Sequence, residues 1–215
     1  MSDVIRAMLG AKMPLPELAV SAVVYGSAEP KGLRELEQKI RARGGELELV
    51  RLAAGEDPRV GMLAARHELV LCAEPEAWLD FAERALRLLT HTQVDLVVSS
   101  KLLPGATAQV PFFQRESRRF YHFLLRRTVG LGGTDTLGSK AFRRSRLLPI
   151  LEQCHTTGAA FSSELVIRAQ RAGLDVREMP EQNDHACGIS SPELWRAPAL
   201  FAALIKLART LGRRA

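Results

Sequence analysis

Apolar residues along this chain fall into two alternating patterns: short continuous runs, and stripes spaced three and four apart. Leu18–Tyr25 reads Leu-Ala-Val-Ser-Ala-Val-Val-Tyr and predicts a buried strand. Lys31–Arg43 follows with Leu33, Leu36 and Ile40 on one face, a helix stopped at Gly44-Gly45. Glu46–Leu52 predicts a second strand, Pro58–Ala65 a short helix and Glu68–Cys72 a third strand. Pro75–Leu89 carries Trp78, Phe81, Leu86 and Leu89 along one side of a helix, and Asp95–Ser99 predicts a fourth strand. This βα alternation predicts an α/β fold, a mostly parallel sheet flanked by helices. Residues before Pro14 and Pro16 read as a lead-in. Ligands of such sheets bind beyond the carboxyl ends of the strands. The loops Tyr25–Pro30, Leu52–Asp57, Cys72–Pro75 and Ser99–Gly105 are therefore where chemistry is expected.

The second half centres on residues 134–180. Thr134-Asp135-Thr136-Leu137-Gly138-Ser139-Lys140 is a polar turn in which Gly138 is able to take a positive φ, and a short strand-like piece follows. Leu147, Leu148, Ile150 and Leu151 stripe one helix, Phe161, Leu165, Val166 and Ala169 a second, and Gly173 stands where a glycine ends a helix. Glu164 sits on the flank of that second stripe, where a carboxylate needs a cationic partner or a job. Two further stretches mix apolar and basic residues. Phe112–Arg127 sets Phe113, Phe120, Tyr121, Phe123 and Leu124 among Arg115, Arg118, Arg119 and Arg126. Glu193–Arg214 sets Trp195, Leu200, Leu204 and Leu207 among Lys206, Arg209 and Arg213. Each predicts an amphipathic helix that lies either on the core with a solvated basic face or at an anionic membrane surface.

Composition narrows the classes. The 215 residues give room for one α/β domain, and 47% hydrophobic with 25% charged residues is ordinary for a globular chain. Cys72, Cys154 and Cys187 are far apart, which argues against a disulfide framework or zinc site and fits a reducing, cytoplasmic setting. A net charge of +6 favours anionic partners such as phosphates or acidic lipid headgroups. No nucleic-acid-binding motif accompanies that charge, so no nucleic-acid partner is expected. Met1–Gly10 lacks the apolar core of a signal peptide, and no apolar run has the length of a membrane span.

Residues 135–180 carry a resemblance. Asp135-Thr136, Gly138-Ser139-Lys140-Ala141-Phe142-Arg143-Arg144, Phe161, Glu164-Leu165, Arg168-Ala169, Gly173 and Glu178-Met179-Pro180 stand in order as in family 2 glycosyltransferases with a GT-A fold. The block resembles the dolichyl- or polyprenyl-phosphate mannosyl- and glucosyltransferase type, with the turn one residue shorter. The resemblance implies one GT-A-like domain over 1–215: a nucleotide-sugar half (about 18–100), an acceptor half (about 101–191) and an amphipathic C-terminal helix (192–215). It implies donor contacts at Tyr25, Glu29 and Asp57. The family's D-x-D, whose carboxylates hold Mg²⁺ or Mn²⁺ on the diphosphate, is here Cys72-Ala73-Glu74. Glu74 is then the remaining oxygen ligand, and the donor half looks eroded. Lys101 and Arg115 match family cations that hold the lipid phosphate. Asp184-His185-Ala186-Cys187-Gly188-Ile189-Ser190-Ser191 resembles the family's D-R-x-x-G-x-S-K, adding His185 and Ser190 to that set. Asp135 and Glu164 orient the sugar or acceptor region.

Two functions follow as expectations. One is transfer of a sugar from a nucleotide-sugar to polyprenyl phosphate by a protein peripheral to the cytoplasmic membrane face. The other is a catalytically degenerate relative that keeps the fold and acts as a phosphate- or lipid-binding module or as a partner module.

Overall fold

The computed structural model describes residues 17–25, 30, 32–53, 55–72, 78–107, 112–182 and 197–212. Six strands form one mixed sheet: β1 (Ala19–Tyr25), β2 (Glu46–Leu52), β3 (Leu69–Cys72), β4 (Leu96–Ser100), β5 (Lys140–Arg143) and β6 (Val176–Pro180). Their order is β2-β1-β3-β5-β4-β6. β1 runs parallel to β2 and β3, and β4 parallel to β6, while β5 is antiparallel to both β3 and β4. The chain is thus α/β and GT-A-like, with one reversed strand wedged between the two parallel groups.

Seven helices among the described residues cover the sheet: α1 (Leu33–Arg41), α2 (Pro58–Ala64), α3 (Trp78–His91), α4 (Phe112–Val129), α5 (Arg144–Glu152), α6 (Gly158–Arg171) and α7 (Ala197–Leu211). Alternate strand residues feed two cores. Val20, Ala22 and Val24 of β1 meet Leu33, Leu36 and Ile40 of α1 and Phe81, Leu86 and Leu89 of α3. Val23, Val70, Val98 and Phe142 point the other way, towards α2 and α4–α7. Strands covered on both faces are apolar at most positions, which is why β1, β3 and β4 read as runs rather than alternations.

Strand β6 was not legible as a strand. Its burial is uneven and it forms the sheet edge, so Val176-Arg177-Glu178-Met179-Pro180 carries no apolar run. α4 also departs from the simple two-sided expectation. Arg118, Tyr121, His122, Leu125 and Val129 make its buried stripe, whereas Phe112, Phe120 and Phe123 are exposed among the arginines. Spacing decides this: positions three, four, seven and eleven after Arg118 share one face, and the phenylalanines do not. In α7, Leu204 and Leu207 pack into the core that α4 and α6 line, and Ile205 and Lys206 are exposed. Arg171 of α6 pins the helix ends there, donating to the Leu211 carbonyl at 2.6 Å and the Val129 carbonyl at 2.8 Å.

Gly138 does not take a positive φ. It is needed for another reason: a Cβ there would lie 2.1 Å from the Ser99 carbonyl oxygen and 2.4 Å from its Oγ. β4 and β5 close on each other at this point, with Ser99 N–H donating to the Ser139 carbonyl at 2.8 Å and Ser139 N–H to Ser99 Oγ at 2.9 Å. Gly138→Ala must push the two strands apart and is expected to cost about 3 kcal/mol or more. Gly132→Ala, whose Cβ meets nothing nearer than 3.6 Å, is expected to stay within about 0.5 kcal/mol. Denaturant midpoints of the two variants check the contrast.

Candidate functional site

The carboxyl ends of β3, β4 and β6 open on the same side of the sheet, and β5 enters from that side at Lys140. The segment leading into β5, Thr134–Ser139, therefore lies across the strand ends where open α/β sheets bind ligands. Its backbone is captured by side chains from three directions. Glu178 of β6 accepts from the N–H groups of Thr134 at 2.6 Å and Asp135 at 3.0 Å, and from the Thr134 hydroxyl at 2.7 Å. His122 Nε2 of α4 accepts from Thr136 N–H at 2.9 Å, and Asp135 Oδ1 from Leu137 N–H at 3.0 Å. Four consecutive amides thus have side-chain acceptors. A polar loop can be this buried only because each donor is answered.

Asp135 is fully buried, and its Oδ2 accepts from Arg118 at 3.3 Å and from the backbone N–H of Lys101 at 3.3 Å. His122 hands its other nitrogen to the Arg118 carbonyl at 2.8 Å. Because Nε2 accepts from Thr136 N–H, the proton must be on Nδ1, which fixes the neutral tautomer. Burial holds the imidazole pKa below its usual 6.5, against the pull of Asp135. Behind it, the hydroxyls of Thr136, Ser163 and Tyr121 form a chain, with Thr136 Oγ1 to Ser163 Oγ at 2.8 Å and Ser163 Oγ to Tyr121 at 2.9 Å. Burial pushes the Tyr121 phenol up to about 12, so it stays protonated.

A groove of about 500 Å³ runs beside this turn, lined by Leu102, Glu116, Arg119, Phe120, His122, Phe123, Arg126 and Thr134. Arg119 pairs with Glu116 at 2.8 Å, and Arg126 donates to the Gly133 carbonyl at 3.0 Å. Arg127 lies over the Phe123 ring and Arg115 over the Phe112 ring, each at 5.6 Å from the centroid. The wall is therefore cationic and aromatic at once.

The residues singled out from sequence divide. Asp135 and Lys101 meet at the strand ends, but the Lys101 ammonium is buried, 3.5 Å from Glu181 Oε1, rather than presented to solvent. Arg115 is on the exposed face of α4 and 3.6 Å from Glu116. Glu164 is buried next to Ser163 but faces the α5–α6 connection, accepting from His155 N–H at 3.1 Å, Thr156 N–H at 2.8 Å, the Thr156 hydroxyl at 2.6 Å and Arg168 at 2.8 Å. Asp57 caps α2, taking Arg59 N–H at 2.9 Å and pairing with its guanidinium at 3.1 Å. Tyr25 ends β1 opposite Leu52. Glu29, Glu74, His185 and Ser190 lie outside the described residues. Sequence reading missed Arg118, His122 and Glu181 as site residues. Their one signal was position: Arg118 and His122 fall on the α4 stripe that also carries Tyr121 and Leu125.

No cluster of three His, Cys, Asp or Glu suited to a metal occurs among the described residues. At the end of β3 stands Cys72, a buried thiol. A hard cation such as Mg²⁺ or Mn²⁺ prefers oxygen to sulfur, so Cys72 does not fit it.

The fold and the strand-end site together define a GT-A-like α/β protein. No family model and no curated protein sequence matches the chain. Among solved structures it is similar to glucosyl-3-phosphoglycerate synthase from Mycobacterium tuberculosis in complex with Mn²⁺ and UDP-glucose. That match has 15% identity and a TM-score of 0.53, over 98% of this chain and 84% of that one. The same enzyme in complex with phosphoglyceric acid matches at 14% identity and a TM-score of 0.53, over 98% and 85%. A mycobacterial protein matches at 15% identity and 0.53, over 99% and 79%. At such identity the likeness establishes the fold.

Proposed function

We propose that this chain transfers a sugar from a nucleotide-sugar to a phosphate-bearing acceptor, polyprenyl phosphate being the acceptor class the sequence resemblance implies. The observation that carries this reading is the buried, fully hydrogen-bonded Asp135 turn across the strand ends beside a cationic, aromatic groove. The glucosyltransferase neighbours, with their nucleotide-sugar and phosphate-bearing acceptor complexes, support it at the level of chemistry. An acceptor phosphate oxygen attacks the anomeric carbon, the bond from that carbon to the diphosphate breaks, and the nucleoside diphosphate leaves. An ionised phosphate needs little general-base help, so the protein's part is positioning and neutralising charge.

Arg115, joined by Arg119 and Arg126 of the same helix, holds the acceptor phosphate in this reading. The sequence resemblance adds Lys101, His185 and Ser190 to that role, with Lys101 acting from its buried place beside Asp135. Asp135 and Glu164 orient the acceptor region, one through the turn and the other through α6. The sequence resemblance assigns Tyr25, Glu29 and Asp57 to the donor, and Glu74, with the donor's own oxygens, to Mg²⁺ or Mn²⁺. Exposed Phe112, Phe120 and Phe123 among arginines suit an anionic lipid surface at the cytoplasmic membrane face.

Cys72 and the Glu181-paired Lys101 favour a second reading, a degenerate relative that binds phosphate, lipid or a protein partner without transfer. Calorimetric titration with UDP, GDP and their hexose conjugates, with and without Mn²⁺, separates them. The transferase reading expects one nucleotide-sugar to bind at micromolar to low-millimolar levels. Absence of binding by every nucleotide at millimolar concentration hands the site to the second reading.

A further inference from the structure

The side chains that hold the Thr134–Leu137 turn differ in one respect: only one of them changes its hydrogen-bonding sense near neutral pH. Glu178 and Asp135 present carboxylate oxygens, which are acceptors. His122 presents a ring nitrogen that accepts only while the imidazole is neutral. We propose that His122 is a positioning residue: as the neutral Nδ1–H tautomer it holds Thr136, and through it the Asp135 carboxylate, in the arrangement the ligand groove requires. This inference rests on the transferase reading for its functional consequence and on geometry alone for its structural one.

Protonation makes the conflict explicit. An Nε2–H would face the Thr136 N–H at 2.9 Å, donor against donor. The alternative acceptors are Thr136 Oγ1 at 3.1 Å and Asp135 Oδ1 at 3.5 Å. Turning towards either releases the Thr136 amide; the first competes with the Thr136–Ser163 hydroxyl contact, and the second draws the carboxylate from the Arg118 guanidinium and the Lys101 amide, both at 3.3 Å. The charged groups around the imidazole are Asp135 in the turn, Arg118 one helical turn earlier on α4, and Glu178 on β6. From α6 the nearby Ser163 brings an uncharged hydroxyl, which binds Thr136 and the Tyr121 phenol, and Tyr121 itself lies edge-on to the imidazole at 5.2 Å. His122 and Thr134 both line the groove, so the rearrangement alters the groove wall directly.

The structural state of the site is accordingly that of the neutral imidazole, and it is lost as pH falls through the imidazole's own pKa, which burial holds below 6.5. The test uses the full chain with three readouts. Nitrogen-15 imidazole NMR is expected to show the Nδ1–H tautomer at pH 7.5, and the Thr136 amide is expected to lose roughly tenfold or more of its exchange protection as pH falls through the imidazole titration, below 6.5. His122→Gln, whose Oε1 can accept from Thr136 and cannot titrate, is expected to keep that protection over the same range. Nucleotide-sugar turnover in the wild type should fall through kcat over this window, and in His122→Gln it should be flat. An Nε2–H tautomer, or a Thr136 amide with the same pH response in both proteins, overturns the proposal. Should His122→Gln fail to fold, the wild-type tautomer and its amide profile still decide. Absence of any turnover beside the expected NMR result overturns the transferase reading and leaves the positioning role of His122 standing.

Discussion

Glu164→Ala is expected to destabilise the chain by about 3–5 kcal/mol, the loss typical of a broken buried ion pair. At about 2–4 °C per kcal/mol for a chain of this size, the melting temperature falls by roughly 6–20 °C. Glu164 is wholly buried, and its two oxygens receive four hydrogen bonds. Removing it leaves two backbone N–H groups, the Thr156 hydroxyl and the Arg168 guanidinium without that acceptor, each a desolvated donor. Glu164→Gln keeps the volume but turns an amide N–H₂ towards donors, so about half the loss is expected. The acid limb gives an independent check. Burial by itself raises the carboxyl's pKa, but the Thr156 hydroxyl and N–H, Arg168 and the His155 N–H outweigh it and hold the group below its usual 4.5. A pKa depressed by folding adds stability that is complete above about pH 4.5 and is lost as pH falls through the lower folded value. Stability curves of Glu164→Gln should therefore be flatter than wild type below pH 4.5. An unchanged acid limb would remove Glu164 from its role in holding the α5–α6 connection.

The same residue illustrates how far sequence alone reaches. A carboxylate on the flank of an apolar stripe announced that it needed partners, and Arg168 at one helical turn was there to be read. Its other partners, Thr156 and His155, come from a loop whose path no periodicity specifies. The strands and helices were legible for the reason that makes them stable: β1, β3 and β4 are covered on both sides, and α1, α3 and α6 bury a stripe. β6 was not, because an edge strand with mixed burial has neither an apolar run nor a clean alternation. The turn's composition allowed Gly138 a positive φ, which it does not take. Backbone torsion can be guessed from a turn's composition, but the approach of Ser99 is a tertiary fact. Lys101 taught the reverse, since a lysine in a loop reads as a solvated cation and only the fold brings Glu181 within 3.5 Å. Arg118 and His122 were hidden by charge, because arginine and histidine within a basic helix suggest its outer face. Once Tyr121, Leu125 and Val129 fix the inner face, the spacing places both residues on it.

Asp135→Ala should be the most damaging single change at the candidate site, costing about 3–5 kcal/mol and abolishing ligand binding in the groove. Its carboxylate is the partner within ion-pair distance of Arg118 among the described residues, and both side chains are almost inaccessible, at 0% and 6%. A guanidinium left in that environment without its anion keeps the desolvation penalty and loses the attraction that offset it. The Lys101 and Leu137 amides lose their acceptor as well. The double variant is the sharper test. If the loss comes from a stranded cation, Asp135→Ala with Arg118→Leu should be more stable than Asp135→Ala alone by about 1–3 kcal/mol, since an apolar replacement of both partners strands only the amides. If the loss comes instead from collapse of the turn, the second substitution adds to the first. Binding separates the two contributions again. The rescued double variant should regain its melting temperature in part but not its affinity for nucleotide-sugar or phosphate, because the carboxylate that orders residues 134–137 beside the groove is still missing. Recovery of both together would mean that Asp135 matters only to folding, and the site would have to be sought elsewhere on the strand ends.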